Sequence, residues 1–107
     1  MPNKNYINGR RREYQIMRTL ELEGYYCVRS AGSHSKIDIT AFLIREKKDE
    51  NQPLIRAIQS KAGSSPIKED MKELRKLNLP AIVSKELWVF KNRKLEIIKI
   101  PNKINSF

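Results

Sequence analysis

The amino-acid sequence predicts a single α/β domain of the mixed α+β type, in which helices flank a central sheet. In two segments, apolar residues recur every three or four positions, and short runs rich in β-branched and aromatic residues follow each segment. These patterns give the order helix, three strands, helix, and two or three further strands. A chain of 107 residues, 39% of them hydrophobic, has room for one core. We therefore expect one domain, with an arm at residues 1–7 and a tail at residues 102–107.

The first helix is predicted over residues 9–23, and Glu13 lies on its apolar face. The apolar members of that face are Ile16, Met17 and Leu20. A buried acid is costly unless it is paired or binds a metal, so Glu13 is a site candidate. Alternatively, Glu13 lies at the edge of the face and pairs with Arg10 or another arginine, and periodicity does not decide between the two. Cations at a helix start oppose the helix dipole, so a phosphate-contacting role better explains Arg10, Arg11 and Arg12, with a solvated face as the alternative.

Three strands are predicted next, at Tyr25–Arg29, 37–44 and 54–61. The single cysteine, Cys27, lies in the first of them and is interpreted as a buried structural thiol. Residues 30–36 form a loop of small and hydroxyl-bearing residues that contains His34. Three interpretations of His34 stay open: an exposed loop residue first, then a phosphate contact, then a general base.

The second and third strands are expected to form a hairpin around the charged loop at residues 45–53. Symmetric antiparallel pairing places Asp38 roughly opposite Ser60, within one residue of Gln59 and Lys61. An acid that can hold a divalent metal then lies beside a lysine that can contact a phosphate or a water. This combination is the minimum required for metal-assisted hydrolysis of a phosphodiester.

The second helix is predicted to begin with Ser65 as its N-cap and Pro66 in its first turn. Its buried stripe consists of Ile67, Met71 and Leu74. Its opposite face carries Lys68, Lys72, Arg75 and Lys76, which is interpreted as a solvated face or an added binding surface.

Short strands are expected at residues 80–83, 87–90 and 95–100, and Asn92 and Arg93 form a two-residue turn before the last. Trp88 and Phe90 share a face of the middle strand, and that face is either core or a patch where two copies of the chain dimerise.

The charge of the chain indicates a polyanionic partner. With 22 Lys and Arg against 12 Asp and Glu, the formal net charge is +10, which favours nucleic acid over a membrane surface. No apolar run approaches the length of a spanning helix and no signal peptide is recognisable, so a soluble, cytoplasmic protein is expected. One histidine and one cysteine make a zinc site a poor interpretation.

Five short motifs resemble the archaeal Holliday junction resolvase family of the PD-(D/E)xK nuclease superfamily. They are GRRRE at 9–13, EGY at 23–25, VRSAGS at 28–33, KIDI at 36–39 and QSK at 59–61. The RSAGS run is much more specific than the sparse acid-and-lysine signature of the superfamily. The resemblance extends from about residue 9 to about residue 100.

This resemblance implies a restriction-endonuclease-like fold and a homodimer that resolves four-way DNA junctions by paired symmetric nicks, in DNA recombination and repair. It implies Mg²⁺ as the cofactor, with Mn²⁺ as a substitute. The implied catalytic residues are Glu13, Ser33, Asp38, Gln59 and Lys61. The implied metal ligands are Asp38, Gln59 and Glu13. The implied DNA contacts are Arg10, Arg11, Arg12, Arg29, Ser30 and Lys36.

Position 59 departs from the family pattern, which has a glutamate there. A glutamine carbonyl can bind Mg²⁺, but it removes one negative charge from the site. Two alternatives therefore stay open beside the resolvase: a restriction-like or nicking endonuclease of the same fold, and a protein that binds branched DNA and cuts it slowly or not at all.

Overall fold

A computed structural model describes residues 4–30, 36–63 and 66–101, with side chains from residue 8 onward. The elements in order are α1 (Lys4–Leu22), β1 (Tyr25–Arg29), β2 (Ile39–Leu43), β3 (Ile55–Ala62), α2 (Lys68–Lys76), β4 (Val83–Lys91) and β5 (Lys94–Ile100). The strands form one mixed sheet in the order β1-β2-β3-β4-β5. Neighbouring strands are antiparallel except β3 and β4, which are parallel and joined through α2. The predicted mixed α+β class is confirmed.

Each helix covers a different face of the sheet, so two apolar clusters hold the domain together. The cluster under α1 joins two residues of that helix to the sheet: Ile16 and Leu20 with Tyr25, Ile39, Ala41, Ile58 and Trp88. The cluster under α2 joins Leu74 of that helix to Leu87, Val89 and Ile100, with Ile67 and Met71 packed on them. Burying these side chains provides most of the driving force for folding. The stripe predicted for the second helix is confirmed.

Cys27 is half-buried beside the cluster under α1, and its thiol donates to the carbonyl oxygen of Met17 at 3.7 Å. Burial is the main cause that raises the pKa of this thiol, to about 11. The protonated thiol is a poor nucleophile, which agrees with the structural role expected for Cys27.

The helix boundaries differ from those predicted. The first helix begins at Lys4 rather than at residue 9, so it includes part of the expected arm, in a stretch without apolar periodicity. The second begins at Lys68, two residues after Pro66, and its N-cap residue Ile67 makes no side-chain capping hydrogen bond. The predicted cap, Ser65, lies outside the described residues, as does the tail at 102–107. In the part of the chain that the structure describes, no helix is long and apolar enough to cross a membrane.

One strand, β4, begins at Val83 where short strands were expected at 80–83 and 87–90, so residues 80–82 lie outside the sheet. Lys85 and Glu86, between the two expected strands, belong to β4 and are both buried. The Nζ atom of Lys85 donates to the carbonyl oxygens of Leu74 at 2.9 Å and Leu77 at 3.1 Å, at the end of α2. Burial is the main cause that lowers the pKa of Lys85. The lysine thus caps the helix C-terminus from within the sheet.

Glu86 belongs to a cluster that we call the buried ion network, formed with Arg56, Ser84 and Trp88. The carboxylate of Glu86 accepts hydrogen bonds from the Arg56 guanidinium, the shortest from Nη2 at 2.7 Å. It also accepts one from the Ser84 hydroxyl at 2.7 Å and one from Trp88 Nε1 at 2.9 Å. Arg56 additionally contacts the more exposed Glu23, with 3.4 Å between Nη1 and Oε2. The Arg56 guanidinium contacts the rings of Tyr25 and Trp88, which belong to the cluster under α1, so the network lies on that face of the sheet.

Trp88 is only 1% exposed and packs in the cluster under α1. Leu87 and Val89 are buried on the α2 side. Of the two interpretations of this face, core is therefore confirmed for Trp88, and Phe90 is half-buried against the same cluster. A dimer patch is wrong for Leu87, Trp88 and Val89, which are buried within one chain. The predicted turn after β4 is confirmed: Asn92 and Arg93 have φ values of 49° and 64°, the left-handed conformation that a two-residue hairpin turn requires.

Candidate functional site

Asp38 lies at the open end of the β2–β3 hairpin, where backbone pairing stops. Ile39 pairs with Ile58, and the amide of Asp38 donates to the carbonyl oxygen of Ile58 at 2.9 Å. The Asp38 carboxylate oxygen Oδ2 accepts the Ser60 backbone N–H at 2.8 Å. The side chain of Asp38 thus continues the ladder of hydrogen bonds by one step. The observed register differs by one residue from the symmetric prediction. Continued past the pair of Ile39 and Ile58, it places Asp38 opposite Gln59 rather than opposite Ser60.

Several opposing charges act on the Asp38 carboxyl. Burial is the largest influence and raises its pKa, and the charge of Asp70 raises it further. The hydrogen bond from Ser60 and the charges of Lys61 and Arg12 lower the pKa, but they do not cancel the effect of burial. A carboxylate that is desolvated and not fully compensated is typical of a functional site and favours an added cation.

Asp70 on α2 joins Gln59 and Lys61, which lie two residues apart on one face of β3. The Gln59 amide nitrogen Nε2 donates to Asp70 Oδ1 at 3.2 Å. The ammonium of Lys61 lies 3.2 Å from Asp70 Oδ2. Each carboxylate oxygen of Asp70 therefore contacts a different site candidate. We call Asp38, Gln59, Lys61 and Asp70 the site cluster.

The other end of the Gln59 amide, Oε1, is buried and accepts no hydrogen bond within the residues that the structure describes. The side chain of Gln59 is well buried, with 9% of the residue exposed. An orphaned buried carbonyl oxygen is costly, and a hard cation would satisfy it.

Glu13 on α1 reaches the same end of the sheet and is paired with an arginine. Its Oε1 lies 3.2 Å from Nε of Arg29, in β1. Burial is the main cause that raises the pKa of Glu13, and the charge of Asp38 adds to it, while Arg29, Arg12 and Arg10 lower it. Glu13 therefore pairs with an arginine, as the second interpretation expected, and lies near enough to Asp38 for that charge to raise its pKa. A metal-binding role of Glu13 stays a prediction.

Cations and an aromatic ring line the surface beside Glu13. Arg10 and Arg29 each lie 5.6 Å from the centre of the Tyr14 ring, and both donate to its hydroxyl, at 3.3 and 3.4 Å. The hydrogen bond from Arg10 is the main cause that lowers the pKa of Tyr14. Arg11 is exposed and Arg12 is half-buried. The sequence analysis did not single out Tyr14, although its spacing of four from Arg10 places the two side chains on one helix surface.

Two predicted site residues, Ser33 and His34, lie outside the described residues. The residues that flank this stretch are Ser30, whose amide donates to the carbonyl oxygen of Asp38 at 2.8 Å, and Lys36, which is exposed.

Asp70 was missed in the sequence analysis, although the sequence carries a signal for it. It lies three residues after Ile67 and four before Leu74, on the buried stripe of α2. The same reasoning that singled out Glu13, an acid on an apolar helix face, applies to Asp70 without change.

Across the described ranges, no three or more His, Cys, Asp and Glu side chains are grouped so as to hold a metal ion. In comparisons with known proteins, the chain matches no family model, no curated sequence and no solved structure.

Proposed function

We propose that this chain is a Mg²⁺-dependent endonuclease that cuts four-way DNA junctions, with a restriction-endonuclease-like fold. The observation that carries the proposal is the convergence of Asp38, Gln59 and Lys61 at one end of the β2–β3 hairpin. An acid, an amide oxygen and a lysine at the end of adjacent strands are the groups that metal-assisted phosphodiester hydrolysis requires. Glu13 adds a second acid from α1 at the same end of the sheet.

The donor atoms suit Mg²⁺ or its substitute Mn²⁺. Both cations prefer oxygen ligands, and Mg²⁺ commonly keeps several waters and takes only one or two protein carboxylates. The carboxylate of Asp38 and the unpartnered Oε1 of Gln59 provide two such oxygens, and Glu13 is the candidate for a third. Two or three ligands of this kind do not require the larger acidic cluster that is absent from the described ranges.

A bound cation lowers the pKa of its water and neutralises charge that develops on the phosphate. Asp38 and Gln59 would hold the cation, which would supply these two effects at the scissile phosphate. Lys61 orients or deprotonates the attacking water, or donates to the phosphate as negative charge develops. Ser33 and Arg29 hold the scissile strand.

The excess of positive charge fits a DNA substrate, since phosphate contacts supply most of the sequence-independent affinity for DNA. The arginine-rich surface of α1, with Arg10, Arg11 and Arg12, follows the phosphate backbone. Ser30 and Lys36, on either side of residues 31–35 in the sequence, contact the same DNA strand. An intracellular site of action follows from this substrate.

Selectivity for a junction comes from the geometry of a homodimer. Two symmetric sites on one basic face fit two strands of a branched molecule and not a linear duplex. The motifs shared with junction resolvases, above all RSAGS at residues 29–33, favour this substrate over linear DNA.

Cleavage of a labelled four-way junction, beside a linear duplex made of the same arms, tests the proposal. We expect wild-type protein with Mg²⁺ or Mn²⁺ to make paired symmetric nicks in the junction alone. Asp38→Ala should reduce the rate by at least about a hundredfold while junction binding in a gel shift persists. Equal cleavage of the duplex would instead support a restriction-like or nicking endonuclease.

One observation favours a second candidate, a protein that binds branched DNA without cutting it. Position 59 is neutral, and its amide and Lys61 are both engaged by Asp70. A clean junction shift without cleavage by wild-type protein would support this candidate. Strong activation by Gln59→Glu would then identify the glutamine as the cause of the inactivity.

A further inference from the structure

Asp70 makes two contacts that together determine how the site cluster is arranged. Its oxygen Oδ1 accepts the Gln59 amide N–H at 3.2 Å, and its oxygen Oδ2 lies 3.2 Å from the Lys61 ammonium. Asp70 is itself buried, with 8% of the residue exposed, so the contacts are shielded from competing water. Hydrogen bonds to a charged acceptor in such surroundings are stronger than those between neutral groups.

The contact with Asp70 gives the Gln59 amide a direction. A glutamine side chain has a donor end and an acceptor end, and either could face α2 in the absence of a partner. Asp70 as a carboxylate only accepts hydrogen bonds, so it selects Nε2 and turns Oε1 the other way. Oε1 is then the buried atom without a hydrogen bond in the described part of the chain.

We propose that Asp70 is a positioning residue, which directs Oε1 of Gln59 toward the cation and holds Lys61 beside it. Asp70 thereby supplies from α2 the negative charge that a glutamine at position 59 lacks. This inference rests on the proposed function and deepens it. The residue that compensates for Gln59 then lies outside the five motifs that suggested the activity. Groups that hydrogen-bond to metal ligands commonly change metal affinity by about 10–100-fold, so the expected effect is measurable.

A purely structural role is the competing explanation. Asp70 lies in the first turn of α2, where a carboxylate stabilises a helix through its dipole. Glu69 lies in the same turn and is exposed, so it shares the dipole effect without the contacts to β3. Glu69→Gln is therefore a matched control for Asp70→Asn, since each removes one negative charge from the same turn.

Calorimetric titration of the full chain with Mg²⁺ tests the inference without relying on cleavage. The side-chain amide that Asp70→Asn introduces has both a donor and an acceptor, so it no longer selects one end of the Gln59 amide. We expect Asp70→Asn to weaken Mg²⁺ binding about tenfold or more and Glu69→Gln to change it less than about twofold. The thermal midpoint of each variant shows whether it is folded.

An exchange variant provides the rescue. The double variant Gln59→Glu with Asp70→Asn moves the carboxylate to position 59 and the amide to position 70 across the same hydrogen bond. We expect its affinity for Mg²⁺ to return to within about threefold of the wild type. A folded Asp70→Asn variant that binds Mg²⁺ as tightly as the wild type would overturn the positioning role.

The two proposals fail in different ways. If wild-type protein cleaves the junction and binds Mg²⁺ but neither property changes in Asp70→Asn, only the inference about Asp70 fails. If wild-type protein neither binds Mg²⁺ nor cleaves, the proposed function fails, and this inference, which depends on it, is overturned with it. In both cases the side-chain amide signals of Gln59 in an NMR spectrum show whether Asp70→Asn changed the orientation of the amide.

Discussion

Two polar clusters lie on the same strand, β3, and they differ in how far their hydrogen bonds are satisfied. In the buried ion network, the carboxylate of Glu86 accepts from Arg56, Ser84 and Trp88. In the site cluster, which Asp70 of α2 completes, Oε1 of Gln59 is buried without a hydrogen bond in the described ranges, and so is Oγ of the neighbouring Ser60. Burial also raises the pKa of Asp38 there.

The carboxylate of the ion network is fully engaged within the fold, whereas the site cluster has a buried oxygen left for the cation that we propose. Buried charges that are fully paired contribute order but need nothing further. Buried polar atoms that remain unpaired cost free energy, and proteins retain them where a ligand or a reaction uses them.

The largest expected effect is on the buried ion network. Glu86→Ala leaves the Arg56 guanidinium buried without its main counter-charge, so we expect a loss of about 3–5 kcal/mol in the free energy of unfolding. Urea denaturation followed by circular dichroism measures it. Glu23→Ala, which removes the exposed partner of Arg56, should cost less than about 1 kcal/mol. Equal losses in both variants would contradict the distinction.

We expect a divalent cation to stabilise the protein by binding at the site cluster and not at the ion network. A ligand that binds only the native state stabilises it by about 2.7 kcal/mol at a concentration 100 times its Kd. We expect Mg²⁺ to raise the thermal midpoint of the wild type and to leave that of Asp38→Asn unchanged. Removing Mg²⁺ with a chelator should reverse the shift. A similar rise in Asp38→Asn would place the cation elsewhere.

A smaller effect is expected for Trp88→Phe in the ion network. Phenylalanine keeps the ring in the core under α1 but cannot donate to Glu86, so one bond to a buried carboxylate is lost. Such a bond contributes about 2 kcal/mol. Circular dichroism during urea denaturation measures the change, and Mg²⁺ affinity should stay that of the wild type. A change in affinity would mean that the two clusters are coupled.

The smallest effect concerns the pH dependence of stability through Asp38. Its native pKa is raised above the ordinary value of 3.8, so the native state holds this proton more tightly than the unfolded chain does. The contribution of Asp38 to stability is therefore fully present below pH 3.8 and is lost as the pH rises through the native pKa. We therefore expect the thermal midpoint of Asp38→Asn, measured relative to that of the wild type, to be higher at pH 7 than at pH 3. Thermal unfolding followed by circular dichroism at both pH values measures this, and an equal difference between variant and wild type at pH 3 and pH 7 would contradict the raised pKa of Asp38.

Local patterns predicted the elements well where neighbours in sequence determine the structure. The first strand was predicted with its observed bounds, because Gly24, with a φ of 96°, ends the helix and a β-type run follows at once. The turn at Asn92 and Arg93 was predicted for the same reason. In both cases the controlling residues are adjacent to the element that they define.

Prediction failed where the partner of a residue comes from a distant element. Lys85 and Glu86 were placed between two short strands, although both belong to β4. Lys85 is buried because α2 provides carbonyl oxygens for its ammonium, and Glu86 is buried because β3 provides Arg56. In the candidate site, Asp38, Gln59 and Lys61 were predicted to meet, because one hairpin brings them together. The contacts of Asp70 with Gln59 and Lys61 depend on how α2 packs on the sheet. The register of the hairpin does not determine that packing.

The single parallel pairing, between β3 and β4, has a consequence for spectroscopy. Trp88 is the only tryptophan of the chain, and it pairs with Ser60, between Gln59 and Lys61 in the neighbouring strand. The pairings of β1 with β2, of β2 with β3 and of β4 with β5 link strands adjacent in sequence, but that of β3 with β4 must close a loop through α2. The fluorescence of one indole therefore reports directly when the two halves of the sheet join beside the candidate site.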